Sequence, residues 1–272
     1  MSKPSWEGTG ALAADSWREA LALLKQLTRQ RVSGRYRNSL LGVSWALVLP
    51  LLMVGLLGLV FGDVLAIRWQ IGDTDAYAVV LFGGLLVHLF VADCVGKAPM
   101  LVLGHAHYVK STRFPMHLLS WAMVLDALFH LFMGVVVLLL LALWFGFSPA
   151  TSWLALPIVL LPLLPLGLGI GWSLSALSVY FRDLVELVSL ATTGMLLLSP
   201  VLYPLDRVPA TLRPLYQLNP LTLPVENLRA VVFHGSLPTA FELCVPLLVS
   251  CAFALVARWL FHRLRAGFYD VL

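Results

Sequence analysis

Long runs of apolar residues separated by short polar segments dominate the chain. A bilayer core about 30 Å thick requires roughly 20 helical residues per crossing, and six runs approach or exceed that length. The pattern therefore predicts an all-α integral membrane protein with six transmembrane helices. These helices are predicted at residues 41–61, 77–96, 118–145, 153–180, 186–202 and 239–261.

The N-terminal segment, residues 1–40, has a different pattern. Apolar residues recur there at three- and four-residue spacing, while Arg18, Lys25 and Arg29 occupy the other positions. This spacing predicts an amphipathic helix that lies in the membrane interface. It serves either as a topological anchor or as a surface that also contacts a cytoplasmic partner.

The connection at residues 205–238 is too apolar for a solvated loop and is broken by Pro209, Pro214, Pro220 and Pro224. We predict two short helices, 212–218 and 221–233, hinged at Asn219 and Pro220. Irregular backbone at membrane depth requires surrounding protein or a water-filled cavity. The segment is therefore either a pair of re-entrant gate helices or a surface cap.

The loop at residues 97–117 contains three basic residues, three histidines and no acidic residue. It is too long for a tight turn, so it forms either a short helix protruding from the membrane or a solvated basic loop. His105 and His107 have no third ligand nearby, and we expect no metal site.

Composition supports a membrane protein, because 60% of residues are hydrophobic and 12% are charged. Of the 18 Lys and Arg residues, 14 lie at the chain termini or in loops on the same side of the six-helix frame. The positive-inside rule then places both termini in the cytoplasm. Residues 41–261 form the predicted transmembrane domain and 262–272 a cytoplasmic tail. The net charge of +4 thus reflects topology, and we expect no nucleic-acid partner.

Catalytic patterns are scarce. Lys97 follows a glycine but lacks the upstream glycine of a phosphate-binding loop, so we expect no ATP hydrolysis by this chain. Asp93 and Lys97 lie four residues apart in a predicted helix and can form a structural ion pair. Asp126 and His130 have the same spacing in another predicted helix, where they form either a structural pair or a proton relay. We predict no catalytic residue and no cofactor on this chain.

The sequence RYRNSLLG at residues 35–42, followed by Trp45 and Pro50, resembles the membrane subunits of ATP-binding-cassette exporters for O-antigen and teichoic-acid polysaccharides. The similarity continues through Lys110, Phe114-Pro115, Arg182-Asp183, SPVLYP at 199–204, Asn219-Pro220, Glu226 and Arg229. Capsule exporters are close relatives, and the 35–42 motif is nearer to the O-antigen group.

The resemblance implies a homodimer bound to two copies of a cytoplasmic ATPase, which holds ATP and Mg. The complex would export an undecaprenyl-linked polysaccharide across the bacterial inner membrane. The N-terminal helix would lie beside the ATPase, the 97–117 loop would carry the coupling helix, and the two helices after residue 211 would be periplasmic gate helices.

The resemblance also assigns candidate site residues. Those for ATPase coupling are Lys110, Arg113, Phe114, Pro115, Arg35, Tyr36 and Arg37. Those for the channel or gate are Trp45, Tyr180, Tyr203, Asn219, Pro220, Glu226 and Arg229. Aromatic residues also gather at membrane interfaces, so anchoring is the alternative role for the aromatic members.

Other functions remain open from the residues alone. An ion-coupled secondary transporter would require carboxylates near the midplane and usually an internal repeat. A membrane glycosyltransferase or acyltransferase would require a polar cluster at one face, for which Asp73 and Asp75 are the candidates. A cassette exporter of a drug, lipid or heme would share the six-helix plan.

Overall fold

The computed structural model describes residues 11–37, 39–64, 77–105, 115–148, 151–205 and 208–271. Within these ranges the chain forms helices and no strands, as predicted. The α-helices are α1 (Ala11–Tyr36), α2 (Trp45–Leu57), α3 (Tyr77–Lys97), α4 (Met100–Leu103), α5 (His117–Trp144), α6 (Leu156–Leu160), α7 (Leu163–Tyr180), α8 (Leu184–Leu197), α9 (Arg213–Leu218), α10 (Thr222–Phe233), α11 (Ala240–Arg265) and α12 (Phe268–Val271).

Five segments are long and apolar enough to cross a membrane, and they match five of the six predicted spans. These segments are Gly42–Phe61, Tyr77–Lys97, His117–Trp144, Thr151–Tyr180 and Ala240–Arg265. The remaining predicted span, 186–202, is the fifth along the chain and is instead the 14-residue helix α8. At 1.5 Å per residue α8 is about 21 Å long, shorter than the hydrocarbon core.

The early end of α8 has a local cause. Ser199 precedes Pro200, and a residue before proline is disfavoured in the helical conformation. Proline also lacks the N–H that would continue the helical hydrogen bonds. The apolar run of the sequence therefore extends beyond the helix itself.

Helix α3 lies at the centre of the bundle, and most of its side chains are buried. It packs against α2, α5, α7, α8 and α10. By contrast, α2 and α11 bury few of their side chains, so their apolar faces are available to lipid or to another protein. The core is thus built around α3, with α2 and α11 at its periphery.

Glycines in α7 allow neighbouring helices to approach closely. A Cβ atom at Gly167 would lie 3.1 Å from side-chain atoms of α3 and α5, and one at Gly169 would lie 2.5 Å from Phe253 of α11. A Cβ atom at Gly171 would lie 3.0 Å from Ser120 of α5. The GxGxG sequence therefore serves three helix contacts on different sides of α7.

Helix α1 packs along α5, with Leu27 against the core and Lys25 and Arg29 exposed. This agrees with the amphipathic helix predicted within residues 1–40; the helix begins at Ala11 and continues to Tyr36. The loop after α3 starts with the short helix α4, whose Leu101 is buried. Helix α4 packs against α7, so this described part of the predicted coupling loop does not protrude.

Candidate functional site

A cluster of charged side chains joins α3 and α5 at the end of the bundle where α3 terminates. Lys97 Nζ lies 2.5 Å from Asp93 Oδ2 on its own helix and 2.7 Å from Asp126 Oδ2 on α5. The Asp126 side chain is only 4% exposed. A carboxylate this deeply buried requires a charged partner, and Lys97 supplies it.

Helix α1 contributes two arginines to the same cluster. Arg35 Nη1 lies 3.4 Å from Asp93 Oδ1, which links α1 to α3. Burial lowers the pKa of Arg31, while the negative charges of Asp126 and Asp93 raise it. Both acidic residues therefore act on α1 as well as on Lys97.

Tyr36 and His130 form a second link between α1 and α5. The Tyr36 hydroxyl lies 2.8 Å from His130 Nε2, and His130 Nδ1 lies 2.7 Å from the Asp126 carbonyl oxygen. Because a carbonyl only accepts, Nδ1 carries the proton, and in the neutral ring Nε2 accepts from Tyr36. Burial raises the pKa of Tyr36, which keeps this hydroxyl protonated for that role.

A cavity of about 260 Å³ lies beside this cluster, between α1, α2, α3 and α5. Its wall is mostly apolar, and its polar groups come from Arg35, Tyr36, Asp93 and His130. The residues that line it are Arg35, Tyr36, Trp45, Ala46, Leu49, Pro50, Met53, Phe82, Leu86, Leu89, Phe90, Ala92, Asp93, Ala127, His130 and Leu131. The cavity thus has aromatic surfaces beside charged groups.

A second polar cluster, at the opposite end of the bundle, is organised by the buried Arg229 of α10. Its Nη1 donates to the carbonyl oxygen of Pro200 at 2.5 Å and its Nη2 to that of Val201 at 2.7 Å. Glu226 Oε1 lies 3.0 Å from Nη1. Arg229 therefore binds the backbone of the segment that follows α8.

Helix α3 provides the space for this arginine. A Cβ atom at Gly84 would lie 2.7 Å from Arg229 Nη2 and 3.2 Å from Val225. Nearby, the Tyr77 hydroxyl at the start of α3 donates to the carbonyl oxygen of Leu202 at 3.0 Å. The segment after α8 is thus held between α3 and α10.

The turn between α9 and α10 contacts the same segment. Asn219 Nδ2 donates to the carbonyl oxygen of Leu198 at 3.0 Å, and the hydroxyls of Tyr203 and Tyr216 lie 2.5 Å apart. Burial, together with the hydrogen bond to Tyr216, raises the pKa of Tyr203 to about 12. Helices α9 and α10 lie within one residue of the bounds predicted from the sequence.

The predicted site residues fall into separate places. Arg35, Tyr36 and Trp45 line the cavity, whereas the second cluster contains Tyr203, Asn219, Glu226 and Arg229. The exposed Pro220 lies in the turn before α10, the exposed Arg37 follows α1, and Pro115 lies two residues before the start of α5. Lys110, Arg113 and Phe114 lie outside the described residues.

Tyr180 is not part of either cluster. Its hydroxyl donates to the carbonyl oxygen of Leu264 at 2.8 Å, and its ring lies against Phe268 of α12. Within this chain it ties the end of α7 to the end of α11.

Sequence reasoning missed the links between helices. The spacing of Asp93 and Lys97 predicted their ion pair, which is confirmed. Asp126 and His130 were expected to pair with each other, and His130 Nδ1 lies 3.7 Å from Asp126 Oδ1 as well as 2.7 Å from the Asp126 carbonyl oxygen. The shorter side-chain bond of Asp126, at 2.7 Å, is to Lys97. The sequence shows that Lys97 is a cation at the end of an apolar run. It does not show that the partner of Lys97 on α5 is Asp126.

The sequence of this chain was also compared with known protein families. The family model of the ABC-2 type transporter matches residues 22–233. The chain belongs to the ABC-2 type transporter family. It is therefore a transmembrane subunit of a cassette transporter, and membership implies pairing with an ATP-binding subunit. This confirms the resemblance drawn from the 35–42 motif.

Curated relatives of this ABC-2 family member cover almost the whole chain. Two are O-antigen export system permease proteins RfbA of Klebsiella pneumoniae, 25% and 26% identical over 92% of this chain and 95% of their own length. A third, the RfbA permease of Myxococcus xanthus, is 28% identical over 87% of this chain and 88% of its own. The similarity extends over both polar clusters.

Proposed function

We propose that this chain is the transmembrane subunit of an ATP-driven exporter that moves a lipid-linked, O-antigen-like polysaccharide across the bacterial inner membrane. The observation that carries the proposal is the nearly full-length similarity to three O-antigen export permeases. In this proposal two copies form the pathway, and two copies of a separate ATPase supply the energy. ATP and Mg bind on that partner.

The first polar cluster supports a role in coupling. Lys97 is the last residue of α3, and the loop that follows it leads to α5, which carries Asp126. Arg35 and Tyr36 connect both helices to the end of α1. A displacement of the loop by the ATPase would therefore move α1, and with it α2, through these polar contacts.

The second polar cluster supports a gate. Arg229 joins α10 to the segment after α8 through two carbonyl hydrogen bonds, and Gly84 admits its guanidinium beside α3. Separation of the segment after α8 from α10 would require these bonds to break. We infer that α9 and α10 form the periplasmic gate and that the hydrogen bonds of Arg229 hold this gate closed. We call Arg229 the latch of the gate.

The six-helix topology is also part of the proposal. Helix α8 would complete a fifth crossing together with the non-helical residues that follow it, because protein on several sides satisfies their carbonyl groups. With six crossings, the excess of Lys and Arg predicts that both termini lie in the cytoplasm and that the first polar cluster lies at the cytoplasmic end of the bundle.

The pathway itself must accommodate a hydrophilic polymer. A long sugar chain cannot cross hydrocarbon, and aromatic side chains contact sugar faces without holding one site tightly. In this account Tyr36 and Trp45, which line the cavity, contribute to the cytoplasmic part of the pathway.

The proposal is tested by deleting the gene and assaying surface polysaccharide. Deletion should abolish surface polymer while lipid-linked polymer accumulates inside the inner membrane, and restoring the chain should reverse both effects. Chemical analysis of the accumulated polymer would distinguish O-antigen from a capsular or teichoic-acid cargo. Normal surface polymer in the deletion strain would contradict the proposal.

A further inference from the structure

The last turns of α11 carry a basic surface that the proposed exporter mechanism does not use. Arg258, His262 and Arg265 recur at i, i+4 and i+7 and therefore share one helix face. All three side chains are exposed, as is Arg263 beside them. Among the side chains that the structure describes, none of these four residues forms an ion pair with an acidic group.

Arg258 is held in place by an aromatic side chain of the core. Its guanidinium carbon lies 5.9 Å from the ring centroid of Trp172, which is 5% exposed. Trp172 Nε1 in turn donates to the carbonyl oxygen of His117 at 3.5 Å. This cation–π contact fixes the charge at the surface between α7 and α11 without neutralising it.

Apolar side chains on α11 adjoin the basic residues on the side towards the middle of the span. Leu255 lies three residues before Arg258, on the same face of α11. Val256 and Trp259 lie seven and four residues before Arg263 and share a face with it. Leu255 is 69% exposed, Val256 62% and Trp259 59%. The helix thus presents an apolar strip that ends in a cluster of positive charge.

We propose that this surface binds an anionic membrane phospholipid, with the phosphate between Arg258, His262 and Arg265 and the acyl chain along Leu255. The positive charge complements a phosphate, and the adjoining apolar strip complements hydrocarbon. A free phosphate would contact only the basic residues. An acidic protein would contact the basic residues but would not cover the exposed apolar strip that lies within the span. The inference rests on α11 crossing the membrane and is independent of the exported cargo.

Native mass spectrometry of the purified full chain, titrated with phosphatidylglycerol or phosphatidylcholine, tests the proposal. Arg258→Gln combined with Arg265→Gln should weaken phosphatidylglycerol retention about tenfold or more and leave phosphatidylcholine unchanged. Arg265→Gln alone changes an exposed side chain, and it should weaken retention several-fold even where the double variant fails to fold. Arg182→Gln, which removes an exposed charge at the same end of the bundle, is the matched control and should change retention less than twofold.

Three results would overturn the proposal. One is equal retention of phosphatidylglycerol by wild type and Arg265→Gln. Another is an equal loss in Arg265→Gln and Arg182→Gln, which would indicate general attraction by net charge. The third is loss of ATPase copurification in Arg265→Gln with phosphatidylglycerol retention intact, which would indicate a protein contact. None of these results bears on the cargo of the exporter.

Discussion

Lys97 forms ion pairs with two carboxylates that belong to different helices. Asp126 is the more deeply buried of the two, and its Oδ1 atom has no hydrogen-bond partner among the described residues. Removing the cation would leave Asp126 as an unpaired charge in a low-dielectric environment. Loss of one partner from a buried ion pair is far more costly than loss of an exposed pair.

Lys97→Met should therefore lower the free energy of unfolding by about 3 kcal/mol. The measurement is chemical unfolding of the purified protein in detergent, followed by circular dichroism. Lys25→Met, on the exposed face of α1, is the control and should change stability by less than about 0.5 kcal/mol. Equal stability of the two variants would show that the Asp93–Lys97–Asp126 contacts contribute little.

The raised pKa of Tyr203 predicts that the stability of the folded chain falls as the pH rises above about 10. Its pKa is about 12 in the folded chain, above the ordinary value of 10.0, so the folded state holds the proton more tightly. The resulting stabilisation is complete below pH 10 and is lost as the pH rises towards 12. We expect the melting temperature of wild type to fall over this range more steeply than that of Tyr203→Phe. An equal fall of the two melting temperatures with pH would contradict a role for Tyr203 in this loss of stability.

At the scale of elements, Gly84 allows Arg229 of α10 to lie close to α3. Gly84→Ala would place a Cβ atom 2.7 Å from Arg229 Nη2 and displace the guanidinium from the carbonyl groups of Pro200 and Val201. We expect reduced thermal stability and, in reconstituted vesicles, increased leakage of a small polar dye.

The control for this prediction lies on the same helix. A Cβ atom at Gly96 would meet no neighbouring atom within 4 Å, so Gly96→Ala should retain wild-type stability and tightness. Equal leakage from the Gly84→Ala and Gly96→Ala proteins would argue against a latch at Arg229.

The loop between α3 and α5 is the predicted contact with the ATPase. Replacing Arg113, Phe114 and Pro115 by alanine should leave membrane insertion intact but reduce ATP hydrolysis by the complex several-fold, measured as phosphate release. Ser236→Ala with Leu237→Ala changes an exposed loop at the opposite end and should have no effect. Unchanged hydrolysis in the triple variant would remove this loop from the coupling path.

The apolar pattern predicted most of the helices, because the length of each apolar run can be read from the sequence alone. It failed at residues 198–202, where Ser199 and Pro200 end α8 although the residues remain apolar. It also gave no information on partners between helices. The contacts of Lys97 with Asp126 and of Arg229 with Pro200 join positions about 30 residues apart, and their pairing depends on packing that a single sequence does not display.

At the scale of the whole molecule, two polar clusters lie at opposite ends of a bundle centred on α3. Helix α3 contributes Asp93 and Lys97 to one end and Gly84 to the other. This arrangement agrees with a subunit in which movement at one end reaches a gate at the other. Family patterns in the sequence indicated Arg35, Tyr36, Glu226 and Arg229, whereas the structure shows which residues of α3 lie beside them.

The central claim is that this chain works with a separate ATPase. The most direct measurement is its purification in mild detergent after coexpression with the candidate ATP-binding subunit, followed by determination of subunit stoichiometry and ATP hydrolysis. The account predicts a complex of two copies of each chain that hydrolyses ATP. Repeated recovery of this chain alone, without ATP hydrolysis, under conditions that preserve other cassette complexes would contradict it.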